Sequence, residues 1–216
     1  MKTLNEIAIS YDTDKSSLGH NYTQKYASYF SHMREKNIKL FEIGIFNGSS
    51  LNTWKEYFPN GKIYGLDIKD CSNLNGDRIT TILGSQYDKS VLENVNSTHG
   101  PFDIIIDDGS HRGEHMKFSF EVLFPLLKSG GIYVVEDLHC CYWPEFNENG
   151  HNHFMSFLKD LMDSVNGDGK CGYADITKLN IDGYYNNKNT KGKLTYYERT
   201  VEFIHLYRSI AFIKKY

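Results

Sequence analysis

Short apolar runs alternate along most of the chain with apolar residues at helical spacing. Ile38 to Gly44 reads as a buried strand, and a Gly/Asn turn at 46–48 leads into a helix over 49–57 with Leu51, Trp54 and Tyr57 or Phe58 on one face. Pro59, Asn60 and Gly61 stop that helix. Residues 62–67 and 78–83 give the next two strands, separated by a polar loop with room only for a short helix, and 88–97 gives a modest helix. A fourth strand spans 102–107. The helix predicted after it, over 114–127, carries Met116, Phe120, Leu123, Phe124 and Leu127 at three- and four-residue spacing, and Ser129, Gly130 and Gly131 close it. The fifth strand is 132–135. An irregular loop over 140–150 precedes a helix over 151–165.

This order predicts an α/β fold with a mostly parallel sheet and helices on both faces, joined by right-handed crossovers. The tail departs from the pattern. Residues 200–206 and 209–213 are apolar runs separated only by Tyr207 and Arg208, so they form a hairpin and the seven-stranded sheet finishes antiparallel. A Rossmann-like methyltransferase ends that way, whereas a dinucleotide dehydrogenase continues with another crossover; this is fold-level analogy. Residues 166–193, rich in Gly, Asn, Asp and Lys, read as a long surface loop.

A chain of 216 residues with 40% hydrophobic content fits one domain, 1–216. The formal charge of −3 is spread over mixed acids and bases, which advertises neither a nucleic-acid face nor a basic membrane helix. The four cysteines contain no C-x-x-C, and no cationic stretch followed by a long apolar run opens the chain. The expectation is a reduced, cytoplasmic protein without a membrane span. Sixteen tyrosines suit a polar, sugar-like ligand, and serve ordinary packing equally well.

The candidate chemistry sits at strand ends. Gly44 and Gly48 at the first strand-to-helix turn permit a tight turn and a close ligand, but E-x-G-x-x-x-G differs from the dinucleotide pattern. Glu42, preceding the first glycine, suits a ligand carrying an ammonium group; it could equally cap backbone or pair with a lysine. Asp67, ending the next strand, can accept both hydroxyls of an adenosine ribose, in NAD or in S-adenosylmethionine. Ser85 and Gln86 would flank the adenine, or simply form a turn with a helix cap at Ser85 or Asp88.

Two apolar runs then break into acids and histidines: Asp107, Asp108 and His111 after one, Glu136, Asp137 and His139 after the other. Asp108, Glu136 and Asp137 are hard oxygen ligands, suited to Mg²⁺, Mn²⁺ or Ca²⁺. Left together without a cation, they would repel until at least one held a proton. Asp107, pointing opposite to Asp108 on an extended chain, is expected to orient backbone or face the cofactor. His111, three residues past Asp108, is placed as general base toward a substrate hydroxyl; capping or solvent exposure is its plainer role. His139 is expected to be a surface or loop residue.

Beyond these readings, Tyr11 to Lys15 with His20 to Thr23, Phe41 to Gly44, Trp54 to Pro59, Gly65 to Asp67, Gly84 to Gln86, Pro101 to His111, and Val135 to His139 with Tyr142 to Pro144 together resemble the class I, metal-dependent sugar O-methyltransferases of the macrocin and mycinamicin type, and more distantly the cephalosporin-hydroxylase-like proteins. The resemblance implies transfer of a methyl group from S-adenosylmethionine to a hydroxyl of a sugar, a sugar-containing natural product or a glycan. It implies Asp108, Glu136 and Asp137 as Mg²⁺ ligands (Mn²⁺ as substitute), His111 and Asp108 as catalytic residues, and Gly44, Asp67 and Gln86 as nucleoside contacts. Lys15 and Tyr22 belong, by the same resemblance, to a segment within 1–35 that folds over the pocket, and 166–199 is a variable region where an acceptor-specific loop is expected. The acceptor and a homo-oligomeric state stay open. Competing readings are a catechol or phenol O-methyltransferase, an NAD-dependent oxidoreductase, and a Ca²⁺-dependent sugar-binding module without turnover.

Overall fold

The computed structural model describes residues 1–147, 153–166 and 194–216. Strands β1 (Lys39–Ile43), β2 (Lys62–Asp67), β3 (Ile79–Leu83), β4 (Ile104–Asp107) and β5 (Ile132–Val135) run parallel. The hairpin of β6 (Val201–Tyr207) and β7 (Ile210–Lys215) closes the sheet, with β7 antiparallel to β5, in the order β3-β2-β1-β4-β5-β7-β6. The strand order reverses between β1 and β4, which opens a crevice at their carboxyl ends, where open α/β sheets place ligands.

Alternate residues along each strand enter opposite cores, as a period of two requires. Ile105, Tyr133, Val135, Ala211 and Ile213 join one core with helices α4 (Lys89–His99), α5 (Gly113–Leu123) and α6 (His153–Val165). Ile104, Ile106, Ile132, Val134, Ile210 and Phe212 join the other, under α1 (Leu4–Ser10), α2 (Thr23–Phe30) and α3 (Ser49–Tyr57). A short helix, Tyr196–Thr200, leads into β6.

The expected helix over 114–127 ends at Leu123 instead. Phe124 keeps helical backbone, but Pro125 has no N–H for the helix ladder, so the chain continues as a turn that still buries Phe124 and Leu127. Asp88, not Ser85, caps α4 by accepting from the Ser90 and Val91 amides. The expected loop after β5 instead forms short 3₁₀ turns over 138–142 and 144–146. Residues 148–152, where α6 was expected to begin, and 167–193 of the expected surface loop lie outside the described residues. No helix among the described residues is long and apolar enough to cross a membrane.

Candidate active site

The turn after β1 is shaped by what it must pass. Gly44 has φ +90°, and a Cβ there would lie 2.0 Å from the Asp108 carbonyl oxygen, so only glycine lets the β1 and β4 turns touch. Asp67 braces the same turn: one oxygen accepts from the Ile45 and Phe46 amides at 2.8 and 3.2 Å, the other from the Lys69 amide at 2.9 Å. Burial pushes the Asp67 carboxyl up, but the Ile45, Lys69 and Phe46 amides outweigh it and hold the group below its ordinary range. It is a fixed anion facing a cavity of about 830 Å³.

Lys15, Gly44, Asp67, Ser85, Gln86, Asp108, His111 and Asp137 all line that cavity. Two rim residues had no sequence signal: Phe46, 88% exposed, and Ile68, 72% exposed, both line it with apolar surface. Glu42, Gly48, Asp107, Glu136 and Tyr22 do not line it, and each has a different job. Gly48, at φ +83°, starts α3, and a Cβ there would strike Leu74 at 2.5 Å. Asp107 is fully buried, accepts from Gln86 Nε2 at 3.1 Å and from the Ser119 hydroxyl, and is pushed by burial up to about 6. Gln86 Oε1 in turn accepts from the Ser110 amide at 2.6 Å. Asp107 therefore orients the 109–111 backbone, through Gln86 and the Gly109 amide.

The acids at the ends of β1, β4 and β5 form two overlapping groups. Glu42, Asp108 and Glu136 converge on the Lys15 ammonium, which bonds Asp108, stands 2.9 Å from Glu136 and 3.7 Å from Glu42, and is 2% exposed. Burial would lower the Lys15 pKa, but Asp108, Glu136 and Glu42 hold it well above its ordinary range. Burial raises Asp108 and Glu136 against the pull of Lys15, and pushes Glu42 up to about 7. Lys15, expected on the cofactor side, lines the cavity and is also the resident cation of this group. The Tyr26 hydroxyl donates to the other Glu136 oxygen, and Ser50 donates to Glu42 at 2.8 Å. Tyr26 was not foreseen, although its spacing of four from Tyr22 is the available signal.

Asp108, His111 and Asp137 make the second group, each offering one ligand atom within 4.8 Å of the others. Asp137 takes a left-handed backbone at φ 52° and His111 at φ 57°, conformations uncommon outside glycine and expected where a site over-determines the chain. His111 Nε2 stands 3.9 Å from Asp137 Oδ2, and its Nδ1 is buried without a hydrogen-bond partner. Tyr22, also expected on the cofactor side, donates instead to Asp137 Oδ1 at 2.8 Å. His139 is half-buried and bonded to the Ser209 hydroxyl, not free on the surface. Two carboxylates at one opening, with an imidazole beside them, fit an oxygen-preferring divalent ion that keeps part of its shell for water or substrate. Glu136 touches Lys15 and Tyr26, and would join that set only by releasing Lys15.

Residues 41–138 match a methyltransferase domain family. Demethylmacrocin O-methyltransferase of Streptomyces fradiae is 37% identical over 98% of this chain and 53% of its own length. Mycinamicin VI 2''-O-methyltransferase of Micromonospora griseorubida is 35% identical over 98% of this chain and 52% of its own length. The structure of the MycE methyltransferase of the mycinamycin pathway, in complex with Mg, SAH and mycinamycin VI, superposes with a TM-score of 0.82 at 34% identity, covering 99% of this chain and 53% of that one. The chain therefore spans about half the length of the curated relatives it matches.

Proposed function

We propose, from the premise that this chain is a homologue of the macrocin and mycinamicin O-methyltransferases and has their class I methyltransferase fold, that it transfers a methyl group from S-adenosylmethionine to a sugar hydroxyl. The observation that supports this best is the junction of the large cavity with the Asp108, His111 and Asp137 group. One end of the cavity is built for a nucleoside and the other for an acid–base step.

On the nucleoside side, Asp67 keeps lone pairs for ribose hydroxyls while its backbone bonds fix its position, Ser85 and Gln86 offer polar edges, and Phe46 and Ile68 offer apolar walls to the base. Beneath the donor end, Lys15 and Asp108 line the cavity and tie its floor to buried Glu42 and Glu136. On the acceptor side, Asp108 and Asp137 would hold Mg²⁺, with Glu136 as the third carboxylate beside them. When bound, Mg²⁺ supplies Lewis-acid charge that makes a coordinated hydroxyl more acidic. His111 takes the hydroxyl proton, and Asp137, 3.9 Å from its Nε2, stabilises the imidazolium that results. The acceptor oxygen then bonds to the methyl carbon as the carbon–sulfur bond breaks, leaving S-adenosylhomocysteine. Residues 1–35 act as a cap, because Lys15, Tyr22 and Tyr26 carry that segment onto the acids.

Labelled S-adenosylmethionine supplied with a panel of sugar glycosides, followed by product mass spectrometry with and without EDTA, tests this. Mg²⁺-dependent gain of one methyl group on a sugar is the expected result. Failure to bind S-adenosylmethionine would end the proposal.

A further inference from the structure

A second cavity, of about 770 Å³, lies on the other side of Asp137 from the donor cavity. Its inner wall is the ring group of His20, Tyr22 and His139: His20 stacks on Tyr22 at 5.3 Å between centroids, His139 lies 5.9 Å from His20, and Tyr22 donates to Asp137. The β6–β7 turn forms another wall and is fixed in place. Ser209 takes a left-handed backbone (φ 67°), its hydroxyl meets the His139 ring and amide, and its carbonyl accepts from the Leu138 amide at 3.0 Å.

That latch presents Arg208 at the cavity, and α2 presents Lys25 to the same space. Among the described residues, no aspartate or glutamate lines it. Arg208 is exposed and has no ion pair or hydrogen bond among the described residues, while Lys25 bonds only the Asn21 carbonyl, at 3.0 Å. Both cations therefore face the cavity with no carboxylate bound to them among the described residues. A guanidinium left open in this way matches a phosphate by geometry as well as charge. Tyr142 and Tyr207, both exposed, add flat apolar faces suited to a sugar or base ring.

We infer that this cavity receives the acceptor, and that the acceptor is a sugar carrying a phosphate or diphosphate group, bound by Arg208 and Lys25 while the sugar packs on the His20, Tyr22 and His139 wall that backs Asp137. The inference rests on the methyl-transfer reading for the direction in which the sugar points. The anion site itself does not depend on that reading, so the two can fail separately.

Calorimetric titration of UDP-glucose, glucose 1-phosphate and methyl glucoside into the chain, with and without S-adenosylhomocysteine, tests it. Both phosphate-bearing probes should bind at least tenfold more tightly than methyl glucoside. Arg208→Gln should weaken them at least tenfold and Lys25→Gln several-fold, while Lys62→Gln, on an exposed residue away from the cavity, should change nothing. UDP-glucose binding far more tightly than glucose 1-phosphate assigns a nucleotide-linked sugar; equal affinity assigns a simple sugar phosphate. Methyl glucoside binding as well as the phosphate-bearing probes, or Arg208→Gln binding them like the unaltered chain, overturns the inference. If S-adenosylhomocysteine gives no heat while the phosphates bind through Arg208, the anion site stands and the methyl-transfer reading falls.

Discussion

Lys15 Nζ lies 2.9 Å from Glu136 Oε2, joining residues 121 positions apart in a site almost closed to water. The ammonium is shared with Asp108 and Glu42, so one cation serves two buried carboxylates and a half-buried one. Removing it leaves Glu136 and Glu42 buried without their cation, and breaking a buried pair in this way typically costs about 3–5 kcal/mol. Lys15→Met should therefore lower unfolding free energy by about that much. Urea unfolding followed by circular dichroism measures it; a loss below about 1 kcal/mol, the scale of an exposed pair, would mean that the cluster is solvated.

Asp137 and Glu136 are neighbours in sequence but answer to different partners, which predicts different phenotypes. Asp137→Asn should abolish Mg²⁺ stimulation of methyl transfer with the fold retained. Glu136→Gln should lower stability, since Lys15 and Tyr26 lose their anionic partner, and should weaken Mg²⁺ dependence less than the Asp137 change. Activity against Mg²⁺ concentration, paired with thermal melts, separates the two; equal loss of Mg²⁺ dependence would place Glu136 in the ion's shell.

For His111→Ala, turnover should fall by about 10²-fold or more, the usual scale for a general base, with affinity for S-adenosylmethionine kept. Donor titration by calorimetry alongside initial rates reads both quantities. Turnover within a few-fold of the unaltered chain would remove His111 from the base role.

Gly44 couples the two halves of the site through its contact with the Asp108 carbonyl. Gly44→Ala puts a methyl group where backbone stands, at a φ that alanine rarely adopts, so donor and Mg²⁺ affinity should fall together. Parallel titrations of both ligands check this, and loss of donor binding alone would show that the turns are independent.

Asp107 gives a pH signature. Its folded pKa of about 6 lies above its ordinary 3.8, so the native state holds this proton more tightly than the unfolded chain. The stability it contributes is complete below about pH 4 and is lost as pH rises through about 6. An asparagine can still accept from Gln86 and can donate to the Ser119 oxygen. Asp107→Asn should therefore gain stability relative to the unaltered chain between pH 4 and pH 7. Urea titrations at several pH values, in EDTA, measure the difference; a constant difference would place the Asp107 carboxyl in water.

Periodicity carried most of the architecture. The five parallel strands, their crossover helices and the closing hairpin follow from apolar runs whose lengths and breakers are local properties. Gly44 and Asp67 were legible for the same reason, since a tight turn and a strand-end carboxylate are marked by residue type alone. Where local rules competed, as at Pro125, the helical spacing of Phe124 and Leu127 overstated the helix because both are buried from a turn.

What the sequence determined by itself is that acids and a histidine gather at two neighbouring strand ends beside a tight glycine turn. Only the tertiary structure decided how those charges divide. Lys15 and Tyr26 arrive from a segment far away in the chain and engage Glu136, while Asp108 is shared and Asp137 stays with His111. Charge partnership depends on distances through space, which fall off over a few ångströms, and no spacing rule along the chain encodes which distant ammonium fills which gap.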